Sequence, residues 1–368
     1  MKSTHSQRLE RWLGTERIEH LSRCMKGWYG PPIHLLDVPG SVRVCGDGDF
    51  IGPFERGYFM TALDSLREAF KRAAKIPPGT LYSGFASISE ALALSLKGHG
   101  QTRPFRKFGP TGVVGVTSSL WGVGGQPPPG AAPGNAPGGT VFTNQSTGAL
   151  SIIDPHSGAK QLHLMWADVS ATVIDSSLLL YDLLFGCNKT MNSTAAETVT
   201  GVPTRYQNTN PSAPDYIGGN FLFVQVGGTA LANTAHNWTV CTYLNQSNNA
   251  STLPSLTGVA GAIIDQLDHP ANQWFAPLAS GDVGIKALTQ MQCSAAVATG
   301  VIWFMIGHPI GFMSFPVINS MLPFDWLTNR NQAPRVFPGA CLAFLEPLKP
   351  ATTATTYSGT IYLTEGGE

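Results

Sequence analysis

A mainly β protein is what this 368-residue sequence predicts: an antiparallel β-sandwich, jelly-roll-like, preceded by a small helical and extended amino-terminal arm region. Three observations lead to that class. Apolar residues recur at near-helical spacing only in the first hundred or so residues, and alternate with period two from Leu162 onward. The 41 Gly and 27 Pro gather with Asn and Ser in clusters that separate short apolar runs. No long helical pattern alternates with those runs, which argues against a doubly wound α/β fold.

The arm comes first. Between Arg8 and Lys26, the residues Leu9, Trp12, Leu13, Leu21, Cys24 and Met25 trace a helical stripe among charges. A Gly/Pro-rich stretch over 27–57 has little pattern and reads as an extended segment that needs partners to order it. Tyr58, Ala62, Leu66, Ala69, Phe70 and Ala73 mark a second helix, which Pro77-Pro78 stops. A third begins at Ser87, where Ser87-Ile88-Ser89-Glu90 fits a capping box whose hydroxyl and carboxylate satisfy free backbone donors. Gly98 fits the cap at its other end.

Residues 122–139 hold seven Gly and five Pro, the composition of a linker or long exposed loop with polyproline II character at Pro127-Pro128-Pro129. Beyond it, strands follow one another. Leu162, Leu164 and Trp166 alternate with His163, Met165 and Ala167; Phe221, Phe223 and Gln225 alternate with Leu222, Val224 and Val226. Trp238, Val240 and Thr242 do the same with Thr239, Cys241 and Tyr243. Further runs cover 171–181, 259–264, 283–288, 296–306, 336–345 and 356–363. The expected division is a helical and extended anchoring region over 1–110, a linker over 111–139 and a β-sandwich over 140–368.

Charge restricts function. The chain carries 23 basic and 23 acidic residues, and only 12% of it is charged, against about 25% in an ordinary soluble domain. A formal net charge of zero excludes a globally basic nucleic-acid binder, so no sequence-specific nucleic-acid partner is expected. The distribution is uneven: residues 1–107 carry a net +6 and residues 108–368 a net −6. So weakly charged a surface promotes association, and much of it is expected to be covered by neighbouring subunits. The opening residues lack the apolar core of a secretory leader, and Gly300, Gly307, His308, Pro309 and Gly311 interrupt the longest apolar stretch, 295–315. No membrane partner is expected.

Catalytic patterns are missing from the sequence: no G-x-S-x-G elbow, H-E-x-x-H helix or Walker loop occurs. Gly122-Val123-Gly124-Gly125 resembles a phosphate loop, but Pro127 prevents the helix such a loop needs. No enzyme, cofactor or metal is expected. The six cysteines show no CxxC pair and read as small buried apolar residues, with Cys24 and Cys45 the pair best placed for a disulfide. Six N-x-[ST] triplets, at Asn144, Asn188, Asn192, Asn237, Asn245 and Asn249, read as polar loops. Asp47-Gly48-Asp49, Asp154-Pro155-His156 and His308-Pro309 read as turns. Asp265-Gln266-Leu267-Asp268-His269 is the densest set of potential metal ligands, and a water-facing loop accounts for it. For a carbohydrate-active protein the available acids are Asp154, Asp168, Asp175 and Asp182, of which three lie in strand-like runs.

The residues expected to bind partners are Trp12, Trp28, Tyr29 and Phe50 as apolar anchors in the arm, with Arg103, Phe105 and Arg106 as a polar rim. A local helical core accounts for Trp12 as well.

The run Gly281-Asp282-Val283-Gly284-Ile285-Lys286-Ala287-Leu288, with the Ser/Ala/Thr-rich stretch that follows to Gly300, resembles virion structural proteins of tailed bacteriophages. Ile306-Gly307-His308-Pro309-Ile310 and Ala340-Cys341-Leu342-Ala343-Phe344-Leu345 extend the resemblance, which covers residues 140–368. It implies a virion subunit, first of all a capsid-associated cement or decoration protein. Its partners would be the major capsid protein or other virion proteins and further copies of itself, a trimer being favoured. A neck, tail or baseplate protein that is structural or binds a receptor is the alternative, and a carbohydrate-active β protein ranks below both.

Overall fold

Two fifteen-residue strands, Ser176–Thr190 and Val301–Phe315, set the architecture of the computed structural model. It describes residues 88–154, 161–213, 215–326 and 333–366, all within the second of two units of the chain, Arg72–Glu368. Among the described residues one α-helix, α1 (Ile88–Leu94), runs into a π-helical turn (Ser95–His99). Gly98 lies inside that turn at φ 87°, a left-handed conformation that glycine adopts without a Cβ clash, and the cap is Gly100, two residues beyond the expected one.

The strands in chain order are β1 (Gly100–Phe108), β2 (Ser118–Ser119), β3 (Gly125–Gln126), β4 (Thr140–Val141), β5 (Gln161–Ala171), β6 (Ser176–Thr190), β7 (Glu197–Thr198), β8 (Phe221–Val226) and β9 (Asn237–Asn245). They continue with β10 (Ala250–Thr252), β11 (Leu256–Thr257), β12 (Ile285–Cys293), β13 (Val301–Phe315), β14 (Leu322–Asp325), β15 (Arg335–Val336), β16 (Leu342–Glu346) and β17 (Thr356–Gly366). They form three antiparallel sheets, ordered β14-β5-β17-β1-β3, β2-β16-β6-β13-β8 and β10-β9-β12-β7. The mainly β, antiparallel fold read from the sequence is the fold observed.

Packing explains why β6 and β13 are so long. At one end of this pair, Leu180 and Met313, with Phe344 of β16, pack against Phe105, Leu164, Val169 and Ile361 of the β5 sheet. At the other end, Leu184 and Phe304, with Leu222 of β8, pack against Trp238, Tyr243, Leu288 and Met291 of the β9 sheet. One strand pair therefore serves two face-to-face layers. A third cluster joins Tyr181, Leu183, Trp303 and Met305 to Trp121, Phe142 and Leu267 from the surrounding loops. Burying each of these large apolar side chains contributes ~1.5–3 kcal/mol.

The middle of the chain joins the β body. β1 lies inside the region expected to anchor the protein, yet it pairs along its whole length with the final strand, β17. Residues 122–139, expected as a linker or long exposed loop, form a loop in which only Val123, Pro127 and Pro133 are buried, and it runs over the body: β3 pairs with β1, and Asn135 bridges Asn188 of β6. The reason is steric. The Trp121 indole donates to the Ala131 carbonyl at 2.9 Å, and Gly130 lies so close to that ring that a Cβ there would come within 2.0 Å of it. Glycine content that reads as flexibility here allows close backbone packing.

Candidate interaction surface and buried polar sites

Strand alternation sorts the residues of the expected rim. On β1, Phe105 and Lys107 point inward while Arg106 and Phe108 are exposed. Phe105 is 4% exposed and stacks on Phe344 with centroids 4.5 Å apart, so it is a core residue and not part of a rim. Arg106 lies over the Phe108 ring at 4.9 Å, a cation–π contact, and Arg103 Nε donates to Gln101 Oε1 at 3.0 Å. Trp12, Trp28, Tyr29 and Phe50 lie outside the described residues, as do Cys24, Cys45 and Asp47-Gly48-Asp49.

The acidic segment 265–269 does not face water. Asp265, Gln266, Asp268 and His269 are all buried, because the segment covers the outer edge of β8: Val226 N donates to Gln266 O and Asp268 N to Val224 O. Asp268 accepts from Trp238 Nε1 at 2.7 Å and from Val259 N at 2.6 Å. It also meets His236 Nε2 at 2.9 Å, while His236 Nδ1 faces the Thr234 carbonyl. Against desolvation, those two acceptors raise the His236 pKa. Burial instead lowers His269 to about 4, and its Nε2 accepts from Val224 N. Asp265 is pushed up to about 6 by burial, and buried Lys107 down to about 8, its Nζ donating to the Val123 and Pro127 carbonyls.

Further buried polar groups tie the layers together. Arg205 forms a bidentate pair with Asp182, and Lys349 pairs with Glu346, which also accepts from Thr355 and Tyr357. His308 stacks on Tyr206 at 3.8 Å and donates through Nδ1 to Asn220 Oδ1 at 2.8 Å. The Asn220 amide nitrogen donates to two carbonyls, which fixes its oxygen as the acceptor. Burial lowers His308 to about 4. Sequence spacing gave no sign of the Arg205–Asp182 pair, whose members are 23 residues apart. The four described cysteines are buried free thiols, and burial raises Cys187 to about 11 and Cys241 to about 12, which leaves them unreactive.

The acids considered for carbohydrate chemistry are each held by different local contacts. Asp154 accepts from Gly339 N, Asp168 from Trp166 Nε1, Asp175 sits in a turn at φ 59°, and Asp182 is paired with Arg205. Among the described residues no group of three or more His, Cys, Asp or Glu is arranged to hold a metal ion. No described helix is long and apolar enough to cross a membrane.

One end of the β5 and β6 sheets carries a set of exposed apolar side chains. Ile174 lies in the turn between β5 and β6, and Val317 and Ile318 follow β13. Backbone bonds from Asp175 N to Phe315 O and from Asn319 N to Ala171 O hold these two turns together. Leu348 joins them through its N–H to Ser177 Oγ, and Gly115 N, bonded to Lys349 O, brings Val113 and Val114 alongside. All six are between 41% and 60% exposed. Exposed apolar side chains gathered at one end in this way are the kind of surface that protein association covers.

Compared with protein-family models and with curated proteins, the chain matches none.

Proposed function

We propose that the protein is a structural subunit of a bacteriophage particle, a capsid-associated cement or decoration protein that works through contacts with copies of itself and with the shell. The apolar end formed by Val113, Val114, Ile174, Val317, Ile318 and Leu348 is the observation that carries the association. The charge-poor composition supports it, because interface centres are depleted in charge and enriched in aromatic residues. The phage assignment rests on the resemblance of residues 140–368 to virion proteins.

In this reading the apolar end meets a neighbouring subunit, and the layered β body supplies a rigid frame for it. A trimer is the favoured assembly. Electron microscopy of particles labelled on this protein tests the assignment. Many copies spread over the shell support it. Label confined to a single vertex or to the tail moves the protein to the neck, tail or baseplate, and absence from particles refutes the virion reading.

A further inference from the structure

Away from the apolar end, a cleft of about 280 Å³ opens between the approach to β8 and the segment before β12. Phe221, Trp274, Phe275 and Val283 supply apolar walls, and Asp282 lies among the lining residues. The aromatic wall is pre-formed: Trp274 stands edge-on to Phe221 at 5.0 Å and to Phe275 at 4.6 Å. Phe275 is 40% and Val283 55% exposed, so apolar surface is open at the cleft.

Asp282 is held firmly. Tyr243 donates to its Oδ2 at 2.6 Å and Asn245 to its Oδ1 at 2.7 Å. Against a desolvation that acts to raise it, these donors together with Ser251 and Gln246 keep its pKa below the ordinary value. The carboxylate therefore stays charged at neutral pH, yet among the described residues no cation lies within ion-pair distance of it. Lys286, four residues on, donates to Asn248 instead.

We propose that this cleft takes an arginine side chain presented by a neighbouring protein chain. The observations select the chemistry in three steps. A charged carboxylate lining the cleft, with no ion-pair partner among the described residues, calls for a cation. Aromatic walls favour a flat, weakly hydrated guanidinium over an ammonium, because it stacks on ring faces and sheds water more easily. The volume lies just below the ~300 Å³ at which drug-sized ligand pockets begin, which suits one long side chain. The proposal rests on the assembly reading for the source of the arginine.

The test is a titration of the isolated full-length chain with N-acetyl-arginine N-methylamide, followed by the NMR signals of the tryptophan indole N–H groups. The expected result is a saturable shift of the Trp274 signal, with the neutral citrulline analogue binding about tenfold more weakly and the lysine analogue in between. Val283→Lys, at an exposed position, places a like charge at the cleft and should abolish the shift while leaving the melting temperature unchanged. No saturable shift, equal binding of citrulline, or unchanged binding by Val283→Lys would each overturn the proposal. None of these outcomes bears on particle location, so failure of the cleft and failure of the assembly reading stay distinguishable.

Discussion

Arg205 grips Asp182 with two hydrogen bonds of 2.8 and 2.7 Å at the point on β6 where one core gives way to the other. Leu180 on one side belongs to the core shared with the β5 sheet, and Leu184 on the other to the core shared with the β9 sheet. Asp182 also accepts from Cys341 N at 2.8 Å, so both carboxylate oxygens are occupied. Asp182 is fully buried, and its burial raises its pKa against the pull of Arg205. Removing one partner leaves an uncompensated charge. Arg205→Met should destabilise the fold by about 3–5 kcal/mol, whereas replacing both partners with apolar residues should cost much less. Urea unfolding of the two single variants and the double variant measures the difference.

Phe105 and Arg106 are adjacent in sequence and opposite in consequence. Phe105→Ala should cost about 3–5 kcal/mol, because it opens a cavity beneath Phe344. Arg106→Ala, on the exposed face, should stay within about 0.5 kcal/mol of wild type. Thermal unfolding of both checks the correction to the expected rim.

Two glycines of the 122–139 segment should behave differently. Gly130→Ala drives a methyl group into the Trp121 ring and should lower the melting temperature by several degrees. Gly138→Ala meets nothing within 4 Å and should be tolerated. Equal effects would mean that the segment does not lie against Trp121.

Stability should depend on pH through buried groups of both signs. His269 and His308 drop from 6.5 to about 4 on folding, so the stability tied to their neutral forms is full above pH 6.5 and is lost as pH falls toward 4. His236, raised by Asp268, acts oppositely: its contribution is full below pH 6.5 and lost as pH rises through its folded pKa. Asp265, raised from 3.8 to about 6, likewise favours the folded state at low pH and loses that contribution as pH rises through 6. His308→Gln should therefore flatten the acid side, losing about 3 kcal/mol less than wild type between pH 6.5 and 4. Asp265→Asn should be more stable than wild type at pH 7. Denaturant midpoints from pH 4 to pH 7 read both.

The fold class was legible because it depends on local pattern. Period-two runs such as Leu162 to Ala167 and Phe221 to Val226 became β5 and β8, and Gly98 supplies the left-handed residue inside the turn after α1. What escaped depends on contacts between distant residues. Nothing local distinguishes a glycine that loosens a linker from Gly130 pressed against Trp121. The acids and the imidazole of 265–269 looked solvated because partners such as Val224, His236 and Trp238 lie 30 or more residues away. Phe105 was grouped with its neighbouring cations, although strand alternation turns it inward. The apolar end combines residues from four separate stretches of chain, which no sequence window contains.

Sedimentation equilibrium of the purified full-length chain, beside an Ile174→Asp/Ile318→Asp variant, tests most directly whether this molecule is built to associate. The wild type should sediment at a multiple of 39.1 kDa, a trimer by preference, and the variant should shift toward monomer at unchanged melting temperature. A wild-type chain that stays monomeric at every concentration, or a variant that assembles as tightly as wild type, would contradict the assembly reading.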